Sequence, residues 1–185
     1  LETAIDPVLG KLIGFGKGDV PVEGQALLDE TESDLLSMFI ALLDVRTAPF
    51  RQSITDMRDE IDNLLIDMAS RMGMRHQSVQ PATENDERED FVAVMWQTAA
   101  EIRRIVRTMR WTLLLAHEDS EFITSDHPLV KQNFSPPPFP WMGNLGWTSD
   151  GLEVLLPISS KVCLGLLNYD KKIPGVSTIA DDGVI

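Results

Sequence analysis

The chain has 185 residues, of which 43% are hydrophobic, and a formal net charge of −13 at pH 7. This apolar content can form a substantial core in a chain of this length, which excludes a wholly disordered protein. The excess of acidic residues argues against broad, nonspecific attraction to nucleic acid or anionic lipid, because both depend on accumulated positive charge. Nucleic acid is therefore an unlikely partner for this chain alone.

The single cysteine, Cys163, cannot form a disulfide within the chain, which indicates a reducing compartment. No apolar stretch approaches the ~20 residues that cross a bilayer, and the first residues lack the basic-then-apolar pattern of a signal peptide. We therefore expect a cytoplasmic protein with no membrane partner. Because residue 1 is Leu rather than Met, we also expect a fragment of a longer chain.

Residues 1–110 have a helical pattern. A short helix is expected within residues 2–14, before a glycine-rich stretch that ends it. Thr31 to Asp34 resembles a capping box, and the run that follows is apolar on nearly every side until Ala48-Pro49. This pattern predicts a second helix at the centre of the fold.

A third helix is expected from Pro49, since proline suits the first turn. Its apolar residues recur every three or four positions: Phe50, Ile54, Met57, Ile61, Leu64, Leu65, Met68 and Met72. This spacing favours a core face over a binding groove. Residues 74–90, with Pro81 and the run ENDERED, predict a solvated loop, and a fourth helix is expected from Phe91.

From Trp111 the pattern changes to short apolar runs separated by turn residues: WTLLLAH, EFITS, LEVLLPI and KVCLGLLNY. These runs predict about four strands in a largely antiparallel sheet. The predicted fold class is α+β: a single domain whose helical part, about four helices over residues 1–110, packs on a sheet part over residues 111–185.

Residues 135–151 are rich in proline and glycine and predict a structured loop or a lid. Trp141 and Trp147 lie in this loop and are candidates for contact with a ligand. Tryptophans in long loops more often anchor the loop to the core, which is the alternative interpretation.

Three segments carry a resemblance to a known family: FIALLDVRTAPFR, MRWTLLLAHEDSEFITSDHPLV and LLPISSKVCLGL. They resemble the central and C-terminal motifs of domain-of-unknown-function family 4238, a mainly bacterial family, over roughly residues 30–167. The family motifs centre on Arg-Thr-Pro and Ser-Asp-Asn-Pro, so Ala48 and His127 are departures. Fuller members carry a His-Tyr-Val-Pro motif near the N-terminus, and its absence here supports a missing N-terminal segment. The resemblance implies kinship without a specified activity.

The segment FITSDHP, residues 122–128, has two interpretations. Asp126 suits a turn, with its carboxylate accepting main-chain N–H bonds and locking the corner. Alternatively, Asp126 is a metal ligand or general base and His127 a second ligand or proton carrier. The resemblance favours Asp126, because the family's asparagine cannot replace an imidazole as a base. Ser125 is the third catalytic candidate, although three adjacent residues cannot form a facing Ser-His-Asp relay.

The three histidines do not indicate a metal site. If Asp119-Ser120 is the turn of a hairpin, His117 lies opposite Phe122, and His127 lies about 17 Å further along the ladder at ~3.3 Å per residue. His76 falls in the predicted loop without a partner at ligand spacing. We therefore expect no metal and no cofactor.

Arginines provide the remaining candidates. Arg103, Arg107 and Arg110 are spaced as a positive stripe on the fourth helix, which could hold phosphate. The interpretation favoured here is that they pair with acidic residues of a neighbouring helix, such as Asp56, Asp59, Glu60 and Asp67. Arg46 and Arg51 flank a helix corner, where a guanidinium can lock a carboxylate such as Asp126 or bind an anionic ligand.

Two function classes remain open from the sequence. The first is a binding or regulatory module whose partner is another protein or the remainder of its own chain. The alternative is a hydrolase, metal-dependent and acting on phosphodiesters, with a site near Asp126 completed by residues outside this chain. We favour the first class. The sequence leaves open whether the chain is an enzyme.

Overall fold

The computed structural model describes residues 2–15, 28–72, 84–117, 119–135 and 143–168. These residues form the helices α1 (Glu2–Phe15), α2 (Glu30–Val45), α3 (Ala48–Arg71) and α4 (Glu84–Thr108), and then the strands β1 (Arg110–Leu115), β2 (Val130–Asn133), β3 (Leu152–Pro157) and β4 (Val162–Leu167). The predicted α+β fold class is confirmed. None of the described helices combines the length and the apolar character that a membrane span requires.

α2 begins with a capping box formed by Asp29 and Glu32. The Asp29 side chain accepts a hydrogen bond from the Glu32 N–H, and the Glu32 side chain accepts one from the Asp29 N–H, both at 2.8 Å. The predicted pair of Thr31 and Asp34 was therefore wrong by two residues, since Thr31 already lies in the first turn. Asp34 is instead available to side chains of α4.

α4 begins at Glu84, so the acidic run ENDERED forms its first two turns. The prediction of a loop there was wrong, because acidic residues stabilise the positive end of the helix macrodipole. The remainder of the predicted loop, including His76, lies in residues 73–83, outside the described ranges. Further along, Ala99 and Val106 lie on the face of α4 that enters the core.

The sheet has the order β1-β4-β3-β2, and all neighbouring strands are antiparallel. β4 lies between β1 and β3 and is buried along its whole length. Leu166 is opposite Trp111 on one side and Val154 on the other. These side chains share the sheet face that packs with α1, α2 and α4 in one core.

The predicted strand EFITS is wrong. Residues 121–125 form no strand, and the side chain of Ile123 is 88% exposed. The second strand is β2, which pairs with β3 instead of β1. The assumed hairpin fails because β1 pairs with β4, and the Phe122 N–H donates to the Ser160 carbonyl at 2.8 Å. A short alternating apolar pattern does not specify which strand a segment pairs with, or whether it pairs at all.

α3 differs from the other helices because none of its residues is buried. Six residues of the predicted core stripe are 48–58% exposed: Met57, Ile61, Leu64, Leu65, Met68 and Met72. We call this set the α3 apolar face. The prediction of a core face was wrong for these six residues, whereas Phe50 at the start of α3 does pack against the core. Helical periodicity specifies which side of a helix is apolar but not what covers it.

Cys163 lies on β4 and is 1% exposed. Burial raises the pKa of its thiol to about 11, and a backbone hydrogen bond involving Leu156 lowers it by less. We expect a disulfide reagent at pH 8 to react about 100-fold more slowly with the folded chain than with the chain in urea, because the thiolate is the reactive form. A rapid reaction of the folded chain with the reagent would contradict the burial of Cys163.

The raised pKa of Cys163 also makes the stability of the fold depend on pH. The unfolded thiol ionises near pH 9 and the folded thiol near pH 11, so the stabilisation from the neutral buried thiol is fully present below pH 9 and is lost as the pH rises towards 11.

Candidate functional site

The corner that carries the predicted catalytic residues is a surface turn. Ser125, Asp126 and His127 are all exposed. The Ser125 hydroxyl donates to the His127 carbonyl at 3.0 Å and accepts from the His127 N–H at 3.3 Å. Asp126 makes no hydrogen bond or ion pair with another described residue. The local bonding that we predicted for Asp126 is therefore made by Ser125, and the catalytic roles stay predictions.

This geometry reverses the expected effect of substitution at the corner. Asp126→Ala should change the free energy of unfolding by less than about 0.5 kcal/mol, as for other surface positions. Ser125→Ala should destabilise the chain by about 0.5–1 kcal/mol, because it removes both hydrogen bonds of the turn. Urea unfolding of the two variants tests this order. A larger loss for Asp126→Ala would restore the carboxylate as the lock of the corner.

Arg46 and Arg51 do not reach Asp126. Arg46 is the C-cap residue of α2, where its N–H donates to the Leu42 carbonyl at 3.1 Å and its side chain is exposed. The Arg51 guanidinium lies 4.8 Å from the centre of the Phe91 ring, so it links α3 to α4. The predicted lock is wrong for the described residues, and ligand binding by these arginines stays a prediction.

A polar cluster that the sequence did not reveal lies at the C-terminal end of α2. Asp44 Oδ2 accepts hydrogen bonds from Lys131 Nζ and Trp147 Nε1, each at 2.7 Å. The Lys131 ammonium also lies 4.4 Å from the Trp147 ring. The side chains of Asp44 and Lys131 are 24% and 19% exposed, so both charges are largely removed from water. We refer to these three residues as the Asp44 cluster.

The Asp44 cluster joins three parts of the fold. Asp44 lies in the last turn of α2, Lys131 on β2 and Trp147 in the loop before β3. The loop is held further by the Asn133 amide, which donates to the carbonyls of Asn144 and Asp150, both at 2.9 Å. Trp147 thus anchors the loop to the core, which favours the alternative interpretation of this tryptophan. Trp141 lies outside the described residues.

The arginine stripe is an ion-pair network within the helical layer. Arg103 forms a bidentate pair with Asp34, and Arg107 contacts Asp34 and Glu30 at 3.3 and 3.2 Å. The order of these pairs shows that α2 and α4 run antiparallel. The predicted acidic partners on α3 were wrong for these two arginines, because the acids that pair with them lie on α2. Arg110 belongs to β1, and its Nη1 is buried without a hydrogen-bond partner in the described part of the chain.

Because acidic side chains already occupy Arg103 and Arg107, we expect no measurable binding of duplex DNA at physiological salt. A phosphate would have to displace these carboxylates, and the net charge of −13 opposes its approach. Fluorescence anisotropy with a labelled duplex checks this expectation. A micromolar dissociation constant that rises steeply with salt would show a working phosphate site.

α3 is held at its N-terminal end only, as far as the described residues show. The ring centres of Phe50 and Phe91 lie 6.4 Å apart, and Arg58 Nη2 lies 3.8 Å from Asp90 Oδ2. Beyond Arg58, the side chains of α3 make hydrogen bonds and ion pairs only within the helix among the described residues, as in the pair of Asp67 and Arg71 at 2.7 Å. The α3 apolar face is therefore a contiguous exposed patch of the kind that marks an interaction surface.

Comparison with known proteins gives a family but no activity. A family model described as "Protein of unknown function (DUF4238)" matches residues 1–180, more of the chain than the three resembling segments cover. No curated protein and no solved structure matches the chain. Among the described residues, no three His, Cys, Asp or Glu side chains are grouped so that they could hold one metal ion.

Proposed function

The chain belongs to the family of proteins of unknown function DUF4238, and we propose that it is a binding module that docks an amphipathic helix on the α3 apolar face. The observation that carries this proposal is that α3 has no buried residue and that five of its large apolar residues, with Met72 at its C-cap, lie exposed on one side. Docking of an apolar helix face against another apolar surface is a common mode of protein recognition.

The energetics support a docking surface. Full burial of one Leu, Ile or Met side chain stabilises by about 1.5–3 kcal/mol. Because the six side chains are about half exposed, covering them would contribute roughly 6 kcal/mol before the cost of association. Most helices in proteins also depend on packing for their stability. A partner would therefore stabilise α3 as well as bind to it.

The surroundings of Asp126 give no support to the hydrolase alternative. Asp126 is exposed, and no described residue lies in hydrogen-bonding or ion-pair contact with it. A general base needs a partner or substrate held within hydrogen-bond reach, and the corner provides none among the described residues. The Asp44 cluster does not replace it, because its carboxylate is already engaged by two donors.

We propose in addition that the module acts as a single domain in the bacterial cytoplasm. Cys163 is the single cysteine of this sequence and is buried, which supports a reducing compartment. The resemblance described above supports a bacterial source.

A photo-crosslinking amino acid placed at Ile61 in cells tests the proposed function. We expect adducts with a defined protein from Ile61, in the middle of the α3 apolar face. A matched probe at Asp59, two residues away on the opposite side of the helix, should give none. Adducts at neither position, or equal adducts at both, would overturn the proposal.

A further inference from the structure

The α3 apolar face has acidic residues on both of its sides. At about 100° of rotation per residue, Glu60 and Asp62 lie on opposite sides of Ile61. Both are exposed, and neither makes a hydrogen bond or an ion pair with another described residue. Asp67 lies on the same side as Glu60 and pairs with Arg71 at 2.7 Å. Among the described residues, the charges without a partner beside the middle of this face are therefore both negative.

The basic residues of α3 are already engaged within the chain. The Arg51 guanidinium lies 4.8 Å from the centre of the Phe91 ring, and Arg58 Nη2 lies 3.8 Å from Asp90 Oδ2. The third arginine of the helix takes part in the pair with Asp67. An acidic partner would therefore meet no unpaired cation on α3, as far as the described residues show.

The surroundings of the α3 apolar face are acidic as well. Between Asp56 and Met72 the sequence has five acidic residues and two arginines. The contact of Arg58 with Asp90 places the end of the acidic run ENDERED, at the start of α4, beside α3. The field around the face is therefore negative, which attracts a cationic partner and repels an anionic one.

We propose that the helix that docks on the α3 apolar face is basic, with lysine or arginine on both sides of its apolar stripe. When it is docked, its cations lie next to Glu60 and Asp62, while its stripe covers Ile61 and the neighbouring apolar side chains. A second copy of this chain fits less well, because its α3 is itself acidic. The inference rests on the proposed function and adds the chemical class of the partner.

Two synthetic helical peptides with the same apolar stripe test the preference for positive charge. One has lysine at every position beside the stripe and the other has glutamate, and titration calorimetry measures their binding to the full chain. We expect the lysine peptide to bind at least about tenfold more tightly, with an affinity that falls as salt is added. Equal affinities, or tighter binding of the glutamate peptide, would overturn the inference and leave docking in place. No binding of either peptide would also overturn it.

Paired variants separate the contacts beside the face from attraction to the overall charge. Glu60→Gln with Asp62→Asn removes both carboxylates beside Ile61 and should weaken binding of the lysine peptide about fivefold. Asp56→Asn with Asp59→Asn removes two carboxylates from the outer side of the same helix and should change it by less than about twofold, because solvent and salt screen these charges. Circular dichroism and urea unfolding check that both variants are folded. Equal losses in the two variants would overturn the inference.

The protein captured by the Ile61 probe in cells gives an independent test. We expect mass spectrometry to locate the adduct in a segment with apolar residues at helical spacing and an excess of lysine and arginine. An adduct in an acidic or uncharged segment, or with a second copy of this chain, would overturn the inference while leaving the proposed function in place. The absence of any adduct would overturn both.

Discussion

Replacing Asp44 by alanine is expected to destabilise the fold by about 3 kcal/mol. The substitution removes the acceptor of both Lys131 and Trp147. An uncompensated buried charge costs about 3–5 kcal/mol, and an unsatisfied buried donor about 1–3 kcal/mol. Lys131 is 19% exposed, so water recovers part of this loss, and the expected value lies at the lower end. The urea midpoint and its denaturant slope measure the change.

Two further variants separate the charge from the hydrogen bonds in the Asp44 cluster. Asp44→Asn keeps an acceptor for Trp147 and should lie between the wild type and Asp44→Ala. Asp44→Ala leaves the Lys131 charge without a partner, and Lys131→Met removes that charge. The double variant should therefore lose less free energy of unfolding than the sum of the two single variants. An unchanged midpoint for Asp44→Ala would mean that the cluster does not hold the fold, and would make this carboxylate a candidate for binding.

The second large effect is expected from Ile40→Ala, which should destabilise the chain by about 3 kcal/mol. Ile40 is fully buried in α2, so truncation loses the transfer free energy of its side chain and leaves a cavity. Ile61→Ala is the matched control, since it makes the same change on α3 at a side chain that is 48% exposed. Its cost should stay within about 0.5 kcal/mol.

Both isoleucine variants should be compared by urea unfolding at the same low protein concentration. Equal losses at the two positions would show that α3 is packed within one chain. That result would contradict the exposure of α3 on which the binding proposal depends.

Local patterns predicted most of the helices and strands but not their partners. The spacing in α2 and α4 was informative because apolar positions such as Ile40 and Val106 do enter one core. The same kind of spacing in α3 predicted a helix correctly and its burial wrongly. The prediction of a strand at EFITS was wrong for a related reason. β1 pairs with β4, which is distant in sequence, and the local alternation of apolar residues does not indicate such a long-range pairing.

The polar contacts were harder to predict than the core. Asp44 is the only charged residue between Leu35 and Val45, and a lone carboxylate in an apolar run is a signal that could have identified the cluster. Its partners, Lys131 and Trp147, lie 87 and 103 residues away in sequence, so the sequence pattern gives no reason to choose them. Asp126 was a candidate because of the residues next to it in the sequence, but its side chain is exposed to solvent.

The central position of β4 has a consequence for the order of folding. β4 is the last described strand in the sequence, and it provides the pairing partner of both β1 and β3. During synthesis the helices and three strands leave the ribosome first, and β1 then has no neighbour in the sheet until residues 162–167 follow. Pairing between segments so far apart must close a long loop, which slows folding and leaves strand edges open. The nascent chain is therefore most prone to aggregate just before β4 is made.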